Sequence, residues 1–184
     1  MITHDELGEI AAKRLKRIGY HVAFSNVTDT NLGEQPDCIG VSLCGDSILI
    51  EAKVSRSDFK ADFKKPWRAD GKGLGKRRVY ITPEGLLSPA EIPYGWQLWE
   101  VKDNKRKNVI VTKGMREKRV KSDKFSFRYL EKTLINMEKE EYNFFANTDD
   151  LEKVICMMTK VFRRMEASGI NYDNYSNGSQ LRNK

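Results

Sequence analysis

Cysteine is scarce in this 184-residue chain: Cys38, Cys44 and Cys156 are the three present. They supply neither a four-ligand zinc site nor a dense disulfide framework. Cys38 and Cys44 are expected to fill a hydrophobic β layer, in a reducing, cytoplasmic setting. Long apolar runs are also missing, and none approaches the roughly 20 residues of a membrane-spanning helix. The N-terminus lacks the basic segment and sustained hydrophobic run of a signal peptide. The two histidines, His4 and His21, flank the first predicted helix without a convincing third partner. HExxH, GxSxG and GxxxxGK[ST] are absent, which removes the usual signatures of zinc proteases, serine hydrolases and P-loop enzymes.

What the chain does have is positive charge. Lys plus Arg number 33 against 26 Asp plus Glu, a formal net charge of +7. Such an excess favours encounter with polyanions without naming one.

The length suits one substantial core. Asp5 is a predicted cap for a helix running to about Arg17, with Leu7, Ala11, Leu15 and Ile18 at helical spacing and Gly19 as its stop. A short strand, "YHVAF", precedes a polar, turn-rich segment. Cys38–Leu43 and Ser47–Val54 form the clearest strand pair, turning at Gly45 and Asp46. Ser57 is a predicted cap for a helix to about Lys65, and strands are predicted at Arg77–Thr82, Trp96–Val101 and Asn108–Thr112. The loop "PEGLLSPAEIPYG" is expected to be ordered, packed down by Leu86, Leu87 and Tyr94, and Trp96 and Trp99 are expected in the core. Helices are predicted at Asp123–Tyr142 and Asp149–Ala167, before a polar tail.

Asp37, Glu51 and Lys53 are the residues with most chemical content. Glu51 and Lys53 stand two apart in "SILIEAKV" and so share one face of the strand. Asp37 sits at the mouth of the neighbouring strand. Two carboxylates there suit Mg²⁺, with Mn²⁺ as a substitute, and water and phosphate oxygens would complete the coordination. Lys53 would orient the attacking water or neutralise charge in the transition state. The same residues also suit a solvent-facing charge pair, with Asp37 capping a turn.

Pro36–Asp37 followed by Glu51–Ala52–Lys53 resembles the signature of the PD-(D/E)XK nuclease superfamily. The wider run "ILIEAKVSRSDFKADFKKPWR" is similar to MmcB-like DNA-repair nucleases and related phage-borne proteins. The resemblance covers chiefly residues 7–101. It implies a restriction-endonuclease-like α/β fold, with an α-β-β-α-β core, a mixed sheet and a helical C-terminal extension. On that reading residues 1–113 form the nuclease-like core, 114–168 the helical extension and 169–184 a flexible tail. It also implies a metal-dependent DNA endonuclease in which Asp37 and Glu51 bind Mg²⁺ and Lys53 assists phosphodiester hydrolysis. Glu9 resembles the acidic residue that the first helix often adds, with Glu6 as its competitor. The implied setting is repair, recombination or phage DNA processing in a bacterial cell or phage-infected host. Double-stranded or branched DNA is the implied substrate, and a homodimer would align two sites upon it. Superfamily members without catalysis keep open a DNA-binding scaffold working with repair proteins, or a phage-related inhibitor of a host nucleic-acid-processing enzyme.

From Lys53 through Arg78 ten Lys or Arg residues face three Asp. Arg56 is placed to hold the scissile phosphate. Trp67 suits stacking on a base or sugar, while Lys65, Arg68, Lys72, Lys76, Arg77 and Arg78 suit phosphate contacts. Asp58 and Asp62 are read as surface helix pairing. A second basic run, containing Lys102, Lys105, Arg106 and Lys107, either extends the polyanion track or forms a solvated turn.

Overall fold

The computed structural model describes residues 2–26, 34–65, 73–121, 128–146 and 151–167. Helix α1 (His4–Arg17) begins one residue before the expected cap, because Thr3 rather than Asp5 closes a capping box with Glu6. Leu7, Ala11 and Leu15 are buried along one stripe, as their spacing requires. Strands β1 (Val22–Ser25), β2 (Cys38–Val41) and β3 (Ser47–Ala52) follow. Ser55, not Ser57, caps α2 (Arg56–Asp62), its Oγ accepting from the Asp58 N–H at 3.2 Å. Strands β4 (Arg77–Pro83) and β5 (Trp96–Val101) then complete the centre of the sheet.

The seven strands lie in chain order, β1 to β7. β1, β2 and β3 are antiparallel, β3, β4 and β5 are parallel, and β6 (Val109–Lys121) and β7 (Arg128–Ile135) return to antiparallel pairing. Two short parallel joins inside an antiparallel frame make the sheet mixed. The chain then ends its described course in helices α3 (Lys139–Tyr142) and α4 (Leu151–Ala167).

Strand alternation divides the core in two. Ile48, Ile50, Ala52, Val79, Ile81, Trp99 and Val101 pack towards α1. Leu49, Phe59, Tyr80, Trp96, Leu98 and Met157 pack on the other face, where α2 and α4 lie. A fully buried Leu49 contributes about 1.5–3 kcal/mol by leaving water, and Glu51 and Lys53 follow it on the same face. Gly40 lets α1 close on the sheet, since a Cβ there would stand 2.7 Å from Leu15 Cδ1.

Several expectations need correction. Where a helix is expected over Asp123–Tyr142, the described part, residues 128–142, is strand β7 followed by the single turn of α3, and β6 runs on through residue 113. The reason lies in the pairing: Glu117 stands opposite Lys132 and Lys118 opposite Glu131, so two charged segments that look solvated separately are complementary across the ladder. Cys38 is buried as expected, but Cys44 is exposed at the β2–β3 turn. Leu87 packs down the loop before β5, whereas Tyr94 stays exposed. Trp96 and Trp99 are both interior. Residues 168–184 lie outside the described residues.

Candidate active site

The β2–β3 hairpin fixes the first two residues. Cys38 pairs with Ile50, which sets the preceding Asp37 beside the end of β3. The Ala52 N–H donates to Asp37 Oδ2 at 2.7 Å, tying the loop to the strand. Helix α1 approaches from the other side: His4 Nε2 lies 3.3 Å from Asp37 Oδ2. Gly8, one turn further along, permits that approach, because a Cβ there would meet the Asp37 carbonyl oxygen at 3.0 Å.

Glu51 and Lys53 point from β3 towards α2, and both are buried. Lys53 Nζ donates to Glu51 Oε2 at 3.2 Å and lies 3.4 Å from Asp62 Oδ1 and 3.9 Å from Asp58 Oδ1. Lys65 Nζ spans the same acids, 2.7 Å from Asp62 Oδ1 and 3.5 Å from Glu51 Oε2. The Tyr80 hydroxyl donates to Asp62 Oδ2 at 2.8 Å, and Tyr80 itself stacks on Trp96 with ring centroids 4.3 Å apart. The cluster is thus held by two strands and a helix rather than by a free loop.

Asp37, Glu51, Asp58 and Asp62 put four carboxylates near the two ammonium groups of Lys53 and Lys65. The excess negative charge falls on Asp37, the carboxylate at the edge of the cluster. Burial first, and then the charge of Glu51, push its carboxyl up from the ordinary 3.8 to about 6, against the Ala52 N–H, His4 and Lys53. Among the described residues no group of three or more His, Cys, Asp or Glu side chains is arranged to hold a metal ion.

The other expected residues are placed differently. Glu9 is 58 % exposed and lies 3.7 Å from Lys13, and Glu6 is engaged in the capping box, whereas His4 of α1 lies 3.3 Å from Asp37. Arg56 pairs with Glu91 and donates to the Leu86 carbonyl at 3.0 Å, which pins the 3-10 turn at Pro89–Glu91. Lys65 joins the acidic cluster. The Lys76 backbone N–H donates to Ser47 Oγ at 3.0 Å.

Arg77 and Arg78 require correction as phosphate contacts. Arg77 donates to the Tyr142 carbonyl at 3.0 Å, lies 4.1 Å over the Tyr142 ring, and is only 13 % exposed. Arg78 is 0 % exposed, its guanidinium 4.0 Å over the Phe145 ring. Strand phase turns Arg78 inward beside Tyr80, and the C-terminal aromatics supply its surroundings. Trp67, Arg68 and Lys72 lie outside the described residues.

Asp62 is the main residue that sequence reasoning misplaced, since it is buried rather than part of a surface pair. It stands four residues after Asp58 and beside the apolar Phe59–Phe63 pair, and besides the nearby Lys65 its partners are Lys53, just past β3, and Tyr80 of β4.

No family model matches the chain, and no curated protein does. Among solved structures it is similar to a protein of unknown function from Silicibacter pomeroyi, with a TM-score of 0.50 and 18 % identity over 88 % of this chain and 87 % of the other. At that identity the likeness concerns the fold alone. No helix among the described residues is long and apolar enough to cross a membrane.

Proposed function

We propose that this chain is a metal-dependent DNA endonuclease with a restriction-endonuclease-like core. The observation that carries the reading is the convergence of Asp37, Glu51 and Lys53 at the end of β3, where Lys53 Nζ lies 3.2 Å from Glu51 and burial, followed by the charge of Glu51, raises the Asp37 carboxyl. The succession α1, β1–β3, α2, β4 supports the fold assignment, with the mixed sheet placing both motif strands side by side.

Asp37 and Glu51 would hold Mg²⁺, or Mn²⁺ in its place. A cation there supplies a more acidic water and a counter-charge for the phosphoryl oxygens. Lys53, oriented by Glu51 and Asp62, would neutralise charge that builds on the phosphate as the bond breaks. Lys65 now bridges Glu51 and Asp62, and its exchange of those partners for a phosphate would open the acids to the cation. His4 and the Ala52 N–H fix the orientation of Asp37. Repair, recombination or phage DNA processing are the settings in which such cleavage would serve.

Glu51 is 1 % exposed beneath two ammonium groups. This burial favours, as the second reading, a DNA-binding or scaffold protein that keeps the fold without hydrolysis. Linear, nicked, single-stranded and branched DNA incubated with Mg²⁺ or Mn²⁺ separates the two. Cleavage that disappears in Glu51→Gln and Lys53→Ala, both folded, supports the nuclease. Absence of cleavage on all four substrates by folded protein that binds DNA supports the scaffold.

A further inference from the structure

A groove of about 420 Å³ lies between the outer side of α1 and the turn joining β5 to β6. Lys13, Arg14 and Arg17 line one wall, and Arg106 and Lys107 line the other. Ile10 and Val109 give it an apolar floor, and Asn108 adds a neutral polar group. No carboxylate is among the described residues that line it. Acids accompany these cations: Glu9 is 3.7 Å from Lys13, Glu117 is 3.4 Å from Arg14, and Lys107 pairs with Asp103 and also feels the charge of Glu6.

These pairs are not equivalent. Arg14 is mostly buried and lies 4.7 Å over the Trp99 ring, so its guanidinium is part of the wall. The pairs of Lys13 and Lys107 are solvent-exposed, and exposed pairs add little stability and exchange partners readily. Arg17 and Arg106 are themselves exposed.

The backbone of Lys107 is the second observation. Its φ is +45°, in the left-handed region that glycine or asparagine adopts with less strain. The tight turn imposes it, with the Lys107 N–H donating to the Asn104 carbonyl at 3.0 Å and the Lys102 N–H to the Asn108 carbonyl at 2.9 Å, and it stands the Lys107 side chain at the lip of the cation-lined groove.

We propose that the groove binds the phosphodiester backbone of a nucleic acid, as a non-catalytic track distinct from the carboxylate cluster. The choice of DNA rests on the functional reading above, but binding in the groove requires no cleavage. Helix α1 links the two places. His4 at its start touches Asp37, and Ile10 on the groove floor is about 9 Å further along the helix axis at 1.5 Å per residue. Arg17 is about 10 Å beyond that. A strand laid along this side would pass several phosphates, which recur about every 3.4 Å of duplex axis per strand. The groove also supplies the exposed cations that Arg77 and Arg78, turned inward, do not.

The test is fluorescence anisotropy of a labelled duplex with the full chain in EDTA, across 50–200 mM salt. Each phosphate contact contributes about 0.9 to the slope of log affinity against log salt. Arg17→Gln/Arg106→Gln is therefore expected to lower that slope by about 1.8 and the affinity at 50 mM salt by about a hundredfold. Lys107→Gly is expected to lower affinity about tenfold on the same basis, while its melting temperature stays at or above that of the wild type because the strain is relieved. Unchanged binding by both groove variants overturns the proposal, as does a folded wild-type protein that fails to bind duplex DNA at 50 mM salt. No metal is present and no bond is broken in this assay, so either result stands apart from whether the carboxylates cut DNA.

Discussion

Asp37→Asn isolates the charge excess at the end of β3. In the native protein burial and Glu51 raise the Asp37 carboxyl from 3.8 to about 6. Between pH 4 and 6 the native state therefore keeps a proton that the unfolded chain has released. Native binding of that proton is favourable, so this contribution is fully present below pH 4, falls as pH rises, and is lost above about 6. At about 1.4 kcal/mol per pH unit the loss is about 3 kcal/mol at neutral pH. Asparagine keeps an oxygen for the Ala52 N–H, which now bonds Asp37 at 2.7 Å, and carries no charge. Urea denaturation in EDTA at pH 4.5, 6.0 and 7.5 is expected to show the variant gaining on wild type as pH rises, by up to about 3 kcal/mol. Adding Mg²⁺ at ten times its dissociation constant should then stabilise wild type by about 1.4 kcal/mol and leave the variant unmoved. A variant less stable than wild type at pH 7.5, or a difference independent of pH, refutes the argument that Asp37 carries uncompensated charge.

Other substitutions probe the neighbours. Asp62→Ala removes the partner of Lys53, Lys65 and the Tyr80 hydroxyl, and chemical denaturation is expected to show a loss of about 3–5 kcal/mol; Asp62→Asn, which can still accept from Tyr80, should lose less. Arg78→Met forfeits the guanidinium packed on Phe145, with an expected cost of about 2 kcal/mol in denaturant melts. DNA affinity measured on the same variant should stay within about twofold, the outcome of an interior role rather than a phosphate contact. Lys118→Glu sets like charges opposite each other across β6 and β7 and should destabilise by up to about 1 kcal/mol, while the exchanged pair Lys118→Glu/Glu131→Lys should recover most of it in a double-mutant cycle.

The parts of this protein that its sequence announces are those whose partners are near in the chain. Leu7, Ala11 and Leu15 declare α1 by their own spacing, and Ile48, Ile50 and Ala52 declare β3, so Glu51 and Lys53 fall correctly on one face. The hairpin brings Asp37 to Glu51 across a short turn, which is why that pair was visible. Strand β7 is not, because its residues show no sustained apolar alternation and the pairing of Glu117 with Lys132 and Lys118 with Glu131 needs β6 beside it. Asp62 was misjudged for a similar reason: a carboxylate on a short helix reads as solvated until Lys53 and Tyr80 arrive from two different strands. Arg78 needed Phe145, a residue far along the chain, before its inward phase made sense. Glu9 shows the converse, a helix residue chosen by resemblance while helical phase gave the contact to His4.

Because each strand lies beside its predecessor, the sheet can lengthen in the order in which the chain leaves the ribosome. No strand has to be inserted between two already formed. The acids of the candidate site emerge on that same schedule. A nascent chain that has completed β3 already carries Asp37, Glu51 and Lys53, but Asp62 arrives only with α2 and the Tyr80 hydroxyl only with β4. The charged centre is thus assembled after its scaffold has begun to form, and a chain halted before β4 would hold the motif without the hydrogen bond from Tyr80 that anchors Asp62.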